Sequence, residues 1–271
     1  MCRSIIFAWA LFVLTTFTSS GPVSLVDVDG SFSMIPNEES GIKVAQWTEN
    51  MKMNPEELGS YLEGDIILTK DSARNGAADE SLRWPNGIIP FVITGNFNAQ
   101  QKALIQAAMK EYETKTCIKF VKRTNQKDYI NIVSDNTGCW SYVGKIGGEQ
   151  KVNLQRPGCI TKIGTVIHEF LHACGFWHEQ SRSDRDNYVT IIWNNIASGT
   201  ENNFDKMNPN QVLDLGVGYD YSSVMHYSAY AFSKNGRKTI ETKNPNAIIG
   251  QREGFSKSDI EKLNKMYKCN R

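Results

Sequence analysis

The chain has 271 residues, of which 40% are hydrophobic, so it is long enough for one two-lobed enzyme domain with additional segments and can bury a large core. Lysine and arginine number 30 against 29 acidic residues, which gives a net charge of +1. This balance gives no reason to expect binding to nucleic acid or to an anionic membrane surface.

The first twenty residues have the pattern of a secretory signal peptide. Arg3 supplies a basic start, the stretch from 5 to 17 is mostly apolar, and small residues follow up to Ser20. These 13 residues are too few for a membrane span, which needs about 20. We therefore predict cleavage near Ser20 and a secreted protein that does not enter a membrane. The alternative is a buried N-terminal helix.

The stretch from 21 to 74 differs from the later part of the chain, since it is acidic and contains neither cysteine nor histidine. We expect little of it to be buried, and interpret it as an appendage to the main domain. It ends in a polar stretch with basic residues, 69–76, which a trypsin-like protease can cleave.

From Trp84 onward the pattern becomes globular. Asn98 can cap a helix from Ala99 to about Lys115. Strands are predicted at 88–94, 118–121 and 129–133, with a short strand candidate at 151–154.

The second half of the chain is predicted to be helical and irregular. The stretch 163–175 is a mostly apolar helix, and a long region rich in Asn, Gly, Ser and Tyr follows it. Ser256 and Asp259 form a capping box that opens a last helix to about Tyr267. Strands first and helices later predict an α+β domain of two lobes.

The central helix carries a metal-binding pattern. His168 and His172 are four residues apart, so both rings project from one helix face. Gly175 can end the helix, and His178 can then turn back toward the same metal. Three imidazoles with an open position are typical of catalytic zinc, and Glu169 can take a proton from the attacking water. The alternative is that these histidines are buried in the core with hydrogen-bond partners and bind no metal.

Five cysteines remain once Cys2 leaves with the signal peptide. In an oxidising compartment we expect two disulfides and one free thiol, and the residues alone leave the pairing open. The five are Cys117, Cys139, Cys159, Cys174 and Cys269.

The fourth histidine, His226, lies in a turn that contains Met225. A methionine turn downstream of this zinc motif is typical of the metzincin group. The HExxHxxGxxHE motif together with Ser-x-Met-His-Tyr resembles the astacin metallopeptidases, and the stretch from His168 to Val189 is similar to their hatching-enzyme branch. The resemblance runs from about Leu62 to Cys269.

The resemblance implies a two-lobed metzincin catalytic domain. Its N-terminal lobe should contain a twisted mixed sheet and two helices, one of them carrying the zinc motif, and its irregular C-terminal lobe should contain a final helix. It also implies a secreted, monomeric zinc endopeptidase that is made as a zymogen, holds one Zn²⁺, and cleaves proteins or peptides. Residues 1–20 would be the signal peptide, 21–74 the propeptide and 75–271 the catalytic domain.

The resemblance assigns roles to the residues of the motifs. His168, His172 and His178 should bind zinc, and Glu169 should be the general base. In the methionine turn, Met225 should form an apolar floor under the metal and Tyr227 should stabilise the developing oxyanion. His226 is expected to be structural. These last three belong to the stretch Ser222–Tyr227.

Latency is implied as well. Asp65, in a Leu-Glu-Gly-Asp stretch that matches the family's Phe-x-Gly-Asp, should bind zinc in the zymogen. An activating trypsin-like protease should cut between Arg74 and Asn75, and Glu179 should then pair with the new N-terminus.

The family pattern also pairs Cys117 with Cys269 and Cys139 with Cys159, which leaves Cys174 as a buried, inert thiol. An extended substrate should add as a strand along the segment near Lys151–Leu154.

Two other functions share parts of this pattern. Another metzincin protease, such as a matrixin, fits less well because Glu179 and the Ser-Val-Met-His-Tyr turn match astacins and no cysteine-switch motif is present. A secreted binding protein with a structural zinc is the alternative from a different class, and the intact Glu169 argues against it. The substrate is not predicted.

Overall fold

The computed structural model of the protein describes residues 35–68, 79–207 and 215–270. The predicted signal peptide and the Arg74–Asn75 bond lie outside these residues. Its helices are α1 (Glu38–Ala45), α2 (Ala99–Lys115), α3 (Ile163–Ala173) and α4 (Lys257–Met266). Its strands are β1 (Ile66–Ile67), β2 (Ile88–Ile93), β3 (Lys119–Lys122), β4 (Tyr129–Val133), β5 (Cys139–Tyr142), β6 (Glu149–Leu154), β7 (Val189–Ile191) and β8 (Ile240–Thr242).

The N-terminal lobe is built on a six-stranded sheet with the order β1-β5-β6-β4-β2-β3. β5 and β6 are antiparallel, and the other neighbours are parallel. α2 and α3 pack against each other, and the rings of Tyr112, Phe120 and Phe170 meet in the core between helices and sheet. The predicted α+β fold, with a mixed sheet and two helices in this lobe, is confirmed.

Both predicted helix starts have the expected caps. The Asn98 side chain accepts a hydrogen bond from the Gln101 N–H at 2.9 Å, and the Ser256 hydroxyl accepts one from the Asp259 N–H at 2.9 Å. Such caps satisfy N–H groups that have no partner within the helix. In the part of the chain that is described, no helix has both the length and the apolar character to cross a lipid bilayer.

The C-terminal lobe is mostly irregular, as predicted, and ends in α4. It also contains an antiparallel pair, β7 and β8, that the sequence analysis did not predict. Ile240 of β8 forms a second core with Phe204 and Tyr227, and each of the three is 0% exposed. The lobe therefore has its own packing centre beside the metal-binding residues.

The expectation that the stretch before the main domain buries little is wrong for residues 35–68. Val44, Tyr61 and Ile66 are at most 1% exposed, and the Tyr61 hydroxyl donates to the Thr137 carbonyl oxygen at 2.6 Å. β1 pairs in parallel with β5. This upstream segment thus adds a strand to the sheet of the main domain.

The expected substrate edge was also wrong. Lys151–Leu154 belongs to β6, which is hydrogen-bonded to β4 on one side and to β5 on the other. β5 pairs with Asn153 and Leu154, so it lies where a further strand would have to join β6. Of the strands of the main domain, β5 lies at the edge of the sheet next to β6, and β1 covers it.

Candidate metal centre

Three buried histidine rings converge at the end of α3. His168 and His172 lie one turn apart on the helix, and Gly175 (φ +107°) ends it so that His178 can return. The Nε2 atom of His168 lies 3.1 Å from Nε2 of His172 and 3.2 Å from Nε2 of His178. The structure therefore brings the three predicted ligands to one point.

Each ring is oriented by a hydrogen bond from its other nitrogen. Nδ1 of His168 donates to the Val224 carbonyl oxygen at 2.8 Å, and Nδ1 of His172 donates to that of Phe176 at 2.7 Å. Nδ1 of His178 donates to the Glu63 carboxylate at 2.6 Å. With the proton on Nδ1, each Nε2 presents a lone pair. Three facing lone pairs are stabilised by a positive charge between them, which a metal ion or a proton can supply.

Asp65 completes the cluster from the upstream segment. Its Oδ2 lies 2.9 Å from Nε2 of His168, and the four ligand atoms lie within 4.8 Å of one another. Burial would raise the pKa of the Asp65 carboxyl, but the facing His178 and His172 hold it well below its usual range, so it carries a negative charge.

This donor set fits zinc. Tetrahedral Zn²⁺ with bonds of about 2.0–2.1 Å to nitrogen places those nitrogens about 3.3 Å apart. The separations of 3.1 and 3.2 Å between His168 and its two neighbours come close to that value. One carboxylate and three imidazoles are ligands that zinc accepts.

Glu169, next to the first histidine, is 0% exposed. Neither of its carboxyl oxygens has a hydrogen-bond partner among the described residues. Burial, and then the negative charge of Asp65, hold the pKa of Glu169 well above its usual range. Because buried carboxyl groups normally have partners, this side chain has its bonding capacity free for a molecule in the site.

The methionine turn lies against the histidines. Met225 is 2% exposed and belongs to the main core. The Tyr227 hydroxyl donates to the Glu63 carbonyl oxygen at 2.7 Å. His226 lies outside the cluster, and its Nε2 is 2.6 Å from the Tyr219 hydroxyl, in line with its expected structural role.

α4 holds the methionine turn from behind. The Asp259 carboxylate accepts hydrogen bonds from the Val224 N–H at 2.9 Å and from the Ser223 hydroxyl at 2.6 Å. The Val224 carbonyl in turn orients His168. The capping box pointed to Asp259 as a helix cap only, and nothing in the sequence indicated its contact with the turn.

In the uncut chain Glu179 has partners that no sequence pattern indicated. Its Oε2 lies 2.5 Å from the Lys262 ammonium, and its Oε1 accepts a hydrogen bond from the Asp220 N–H at 2.9 Å. Burial raises the pKa of the Glu179 carboxyl, and Lys262 opposes that rise. Pairing with an N-terminus at Asn75 stays a prediction, because that residue lies outside the described ranges.

Two further acids of the upstream segment bind the C-terminal lobe. Glu56 forms an ion pair with Arg252, whose guanidinium also donates to the His226 carbonyl oxygen at 3.1 Å. The Glu57 carboxylate accepts hydrogen bonds from the Ser228 N–H at 2.6 Å and the Ser228 hydroxyl at 2.7 Å. No sequence pattern indicated these contacts or that of Glu63 with His178.

The described residues contain two disulfides, and they are the pairs implied by the resemblance. Cys117 is bonded to Cys269, and Cys139 to Cys159. Cys174 is the free cysteine of the described residues and is 0% exposed. Burial raises the pKa of its thiol well above the usual range.

Comparison with known proteins agrees with this geometry. The family model for astacin, a peptidase family, matches residues 76–268. The chain is similar to zinc metalloproteinase nas-4 of Caenorhabditis elegans, with 44% identity over 224 residues, 78% of this chain and 70% of that protein. It is similar to the low choriolytic enzyme of Oryzias latipes, with 45% identity over 226 residues, 80% of this chain and 82% of that protein.

A solved structure shows the same likeness. High choriolytic enzyme 1, a hatching enzyme zinc-protease from Oryzias latipes, matches with a TM-score of 0.64 and 45% identity, over 69% of this chain and 94% of that one. Some relatives are much longer than this chain, which spans 43% and 38% of the length of two further nematode proteins.

Proposed function

Because the chain belongs to the astacin family of zinc metalloproteinases, we propose that it is a secreted endopeptidase made as an inactive zymogen. One observation carries the proposal: a carboxylate from the upstream segment, Asp65, lies in the same buried cluster as His168, His172 and His178. These four residues would hold zinc in the uncut chain. Residues 1–20 are the proposed signal peptide, 21–74 the propeptide and 75–271 the catalytic domain, which acts as a monomer.

Glu169 is the proposed general base. When bound, zinc supplies Lewis acidity that activates water and polarises a carbonyl group. The Glu169 carboxylate takes the proton of the attacking water and delivers it to the leaving amine. The support is that Glu169 is buried beside His168 and has both oxygens free of protein hydrogen bonds among the described residues.

Tyr227 is the proposed oxyanion donor. Its hydroxyl already donates a hydrogen bond to a peptide carbonyl, that of Glu63, at 2.7 Å. Burial and the nearby acids hold the pKa of Tyr227 well above its usual range, so it stays protonated and able to donate. A substrate carbonyl in place of Glu63 would receive the same hydrogen bond as negative charge develops on its oxygen.

The upstream segment supports latency through several contacts. Asp65 fills the ligand cluster, and β1 covers the sheet edge at β5, where an extended substrate could otherwise pair. Cleavage between Arg74 and Asn75 by a trypsin-like protease would begin the release of these contacts. Proteins or peptides are the proposed substrates.

The proposal is tested with the chain that starts after residue 20, before and after limited trypsin treatment. We expect a fluorogenic peptide to be cleaved after treatment only, and a zinc chelator to abolish the cleavage. A zinc-loaded, cut protein without chelator-sensitive cleavage would instead support a secreted binding protein with a structural zinc.

Glu169→Gln tests the general base. The variant should keep zinc and lose about 10²- to 10⁴-fold in kcat, since it retains the shape of the side chain but cannot accept a proton. Zinc content and peptide turnover are the measurements. Glu111→Gln, on the surface of α2, is the matched control and should keep full turnover. Equal turnover in both variants contradicts the assigned role.

A further inference from the structure

A lysine of α4 is buried behind the metal-binding residues. The side chain of Lys262 is 6% exposed, and so is that of Glu179, whose Oε2 lies 2.5 Å from the Lys262 ammonium. Burying a lysine is unfavourable unless its ammonium is paired. The pair therefore fixes two segments that are 83 positions apart in the chain.

The pair acts at the backbone that carries the third histidine. Glu179 directly follows His178, and its N–H donates to the Met225 carbonyl oxygen at 3.0 Å. Its second carboxylate oxygen accepts from the Asp220 N–H at 2.9 Å. The Glu179 carboxylate is thus one of the anchors of this turn, and a change in its position would displace the residue before it.

The orientation of His178 depends more on this turn than the orientation of the other two histidines does. His168 and His172 are oriented by backbone carbonyls of the proposed catalytic domain, those of Val224 and Phe176. The Nδ1 partner of His178 is instead Glu63, in the upstream segment. Once that segment leaves, the hydrogen bond to Glu63 is lost, and the turn held by Glu179 is what continues to position His178.

We propose that Lys262 is a positioning residue for the metal centre, which holds His178 in place through its ion pair with Glu179. The inference rests on the proposed function, because it requires His178 to be a zinc ligand. Lys262 lies behind Glu179 and takes no part in the chemistry. Its contribution reaches the metal through one intermediate residue, as outer partners of ligands do in other zinc sites.

The test is Lys262→Met, which keeps the length of the side chain and removes its charge. The variant removes the nearest cation of the buried Glu179 carboxylate and leaves the more distant Arg182, whose Nη1 lies 3.7 Å from Oε1, and in the cut chain the proposed N-terminus, so the turn should shift. We expect the dissociation constant for zinc to rise about 10- to 100-fold in the trypsin-cut protein, measured by competition with a chromogenic chelator. The visible spectrum of the cobalt(II)-substituted protein should change as well.

A control variant and a second background, Glu179→Gln, separate this effect from a general loss of folding. The control is Lys265→Met. Lys265 lies on the same helix, its side chain is 43% exposed, and it forms an ion pair with Glu261. Its replacement should leave zinc affinity and the cobalt spectrum unchanged. In a Glu179→Gln background the ion pair is already absent, so adding Lys262→Met there should change zinc affinity little.

The outcomes distinguish this proposal from the proposed function. A parent protein that neither binds zinc nor shows chelator-sensitive cleavage overturns the function itself. If the parent does both, and Lys262→Met matches Lys265→Met in zinc affinity and cobalt spectrum, the positioning role is overturned. An effect of Lys262→Met that is equally large in the Glu179→Gln background also overturns it, because the effect would then not pass through Glu179.

Discussion

The three histidine rings owe their orientation to partners at different distances along the chain. The acceptor for His172 is four positions away, that for His168 is 56 positions away and that for His178 is 115 positions away. The last one belongs to the upstream segment. Removal of this segment therefore takes away the Nδ1 partner of one ring, whereas the other two rings keep their Nδ1 partners and lose only the contact of Nε2 with Asp65.

The distances also explain which site residues could be predicted. The spacing of His168 and His172 follows from one helical turn, and Gly175 marks where the chain can bend back. These are local relations that a sequence displays. Glu63 and Lys262 meet their partners across 115 and 83 positions, and no pattern around either residue indicates that partner. Only the folded chain brings them together.

Cys174 gives a prediction at this scale. Its thiol is 0% exposed, and burial raises its pKa, so it should remain protonated and inaccessible in the native protein. In a chain that starts after residue 20, no thiol should react rapidly with a disulfide reagent under native conditions. One thiol per chain should react after unfolding in denaturant.

Cys174→Ala supplies the control, since the thiol released on unfolding should disappear in it. Rapid labelling of the native parent would show that this region opens and would contradict the inert role.

At the scale of elements, the long helices were predicted with better accuracy than the edge of the sheet. α2 and α4 begin at side-chain caps and have enough residues to display a pattern. β1 has two residues, and β5 lies between 133 and 151, where no strand was predicted. Such short strands are defined by the backbone groups they pair with, which lie elsewhere in the chain. The assignment of the substrate edge to β6 failed for this reason.

The upstream elements are held by specific contacts, and Glu57 offers a test of their strength. Glu57→Ala removes two hydrogen bonds to Ser228, and hydrogen bonds to a charged group contribute about 1.5–3 kcal/mol. The cut segment should therefore dissociate about 10-fold faster or more. The lag between cleavage, seen on a gel, and the onset of peptide turnover should shorten accordingly.

Glu49→Ala, at an exposed position of the same segment, is the matched variant and should keep the parent's lag. A lag in Glu57→Ala as long as that of Glu49→Ala would mean that release of the segment is not limited by the Ser228 contact.

For the whole molecule, the two disulfides differ in how much chain they enclose. Cys117 and Cys269 are separated by 152 positions, and Cys139 and Cys159 by 20. The chain-entropy model assigns about 5 kcal/mol to the longer loop and about 3 kcal/mol to the shorter one. Replacing the first pair with alanine should therefore lower the free energy of unfolding more than replacing the second.

Denaturant titrations of the two double variants, both freed of zinc, measure this difference. A larger loss for the Cys139–Cys159 variant would show that packing around those buried sulfurs outweighs loop entropy.

The strand supplied by the upstream segment has a consequence for how the protein is made and stored. Without β1, the backbone N–H and C=O groups of β5 form an open sheet edge, and such edges lead to self-association between chains. As long as the upstream segment is attached, that edge is capped from within the same chain. The upstream segment thereby guards against aggregation, and production of the protein is best begun from the chain that still contains it.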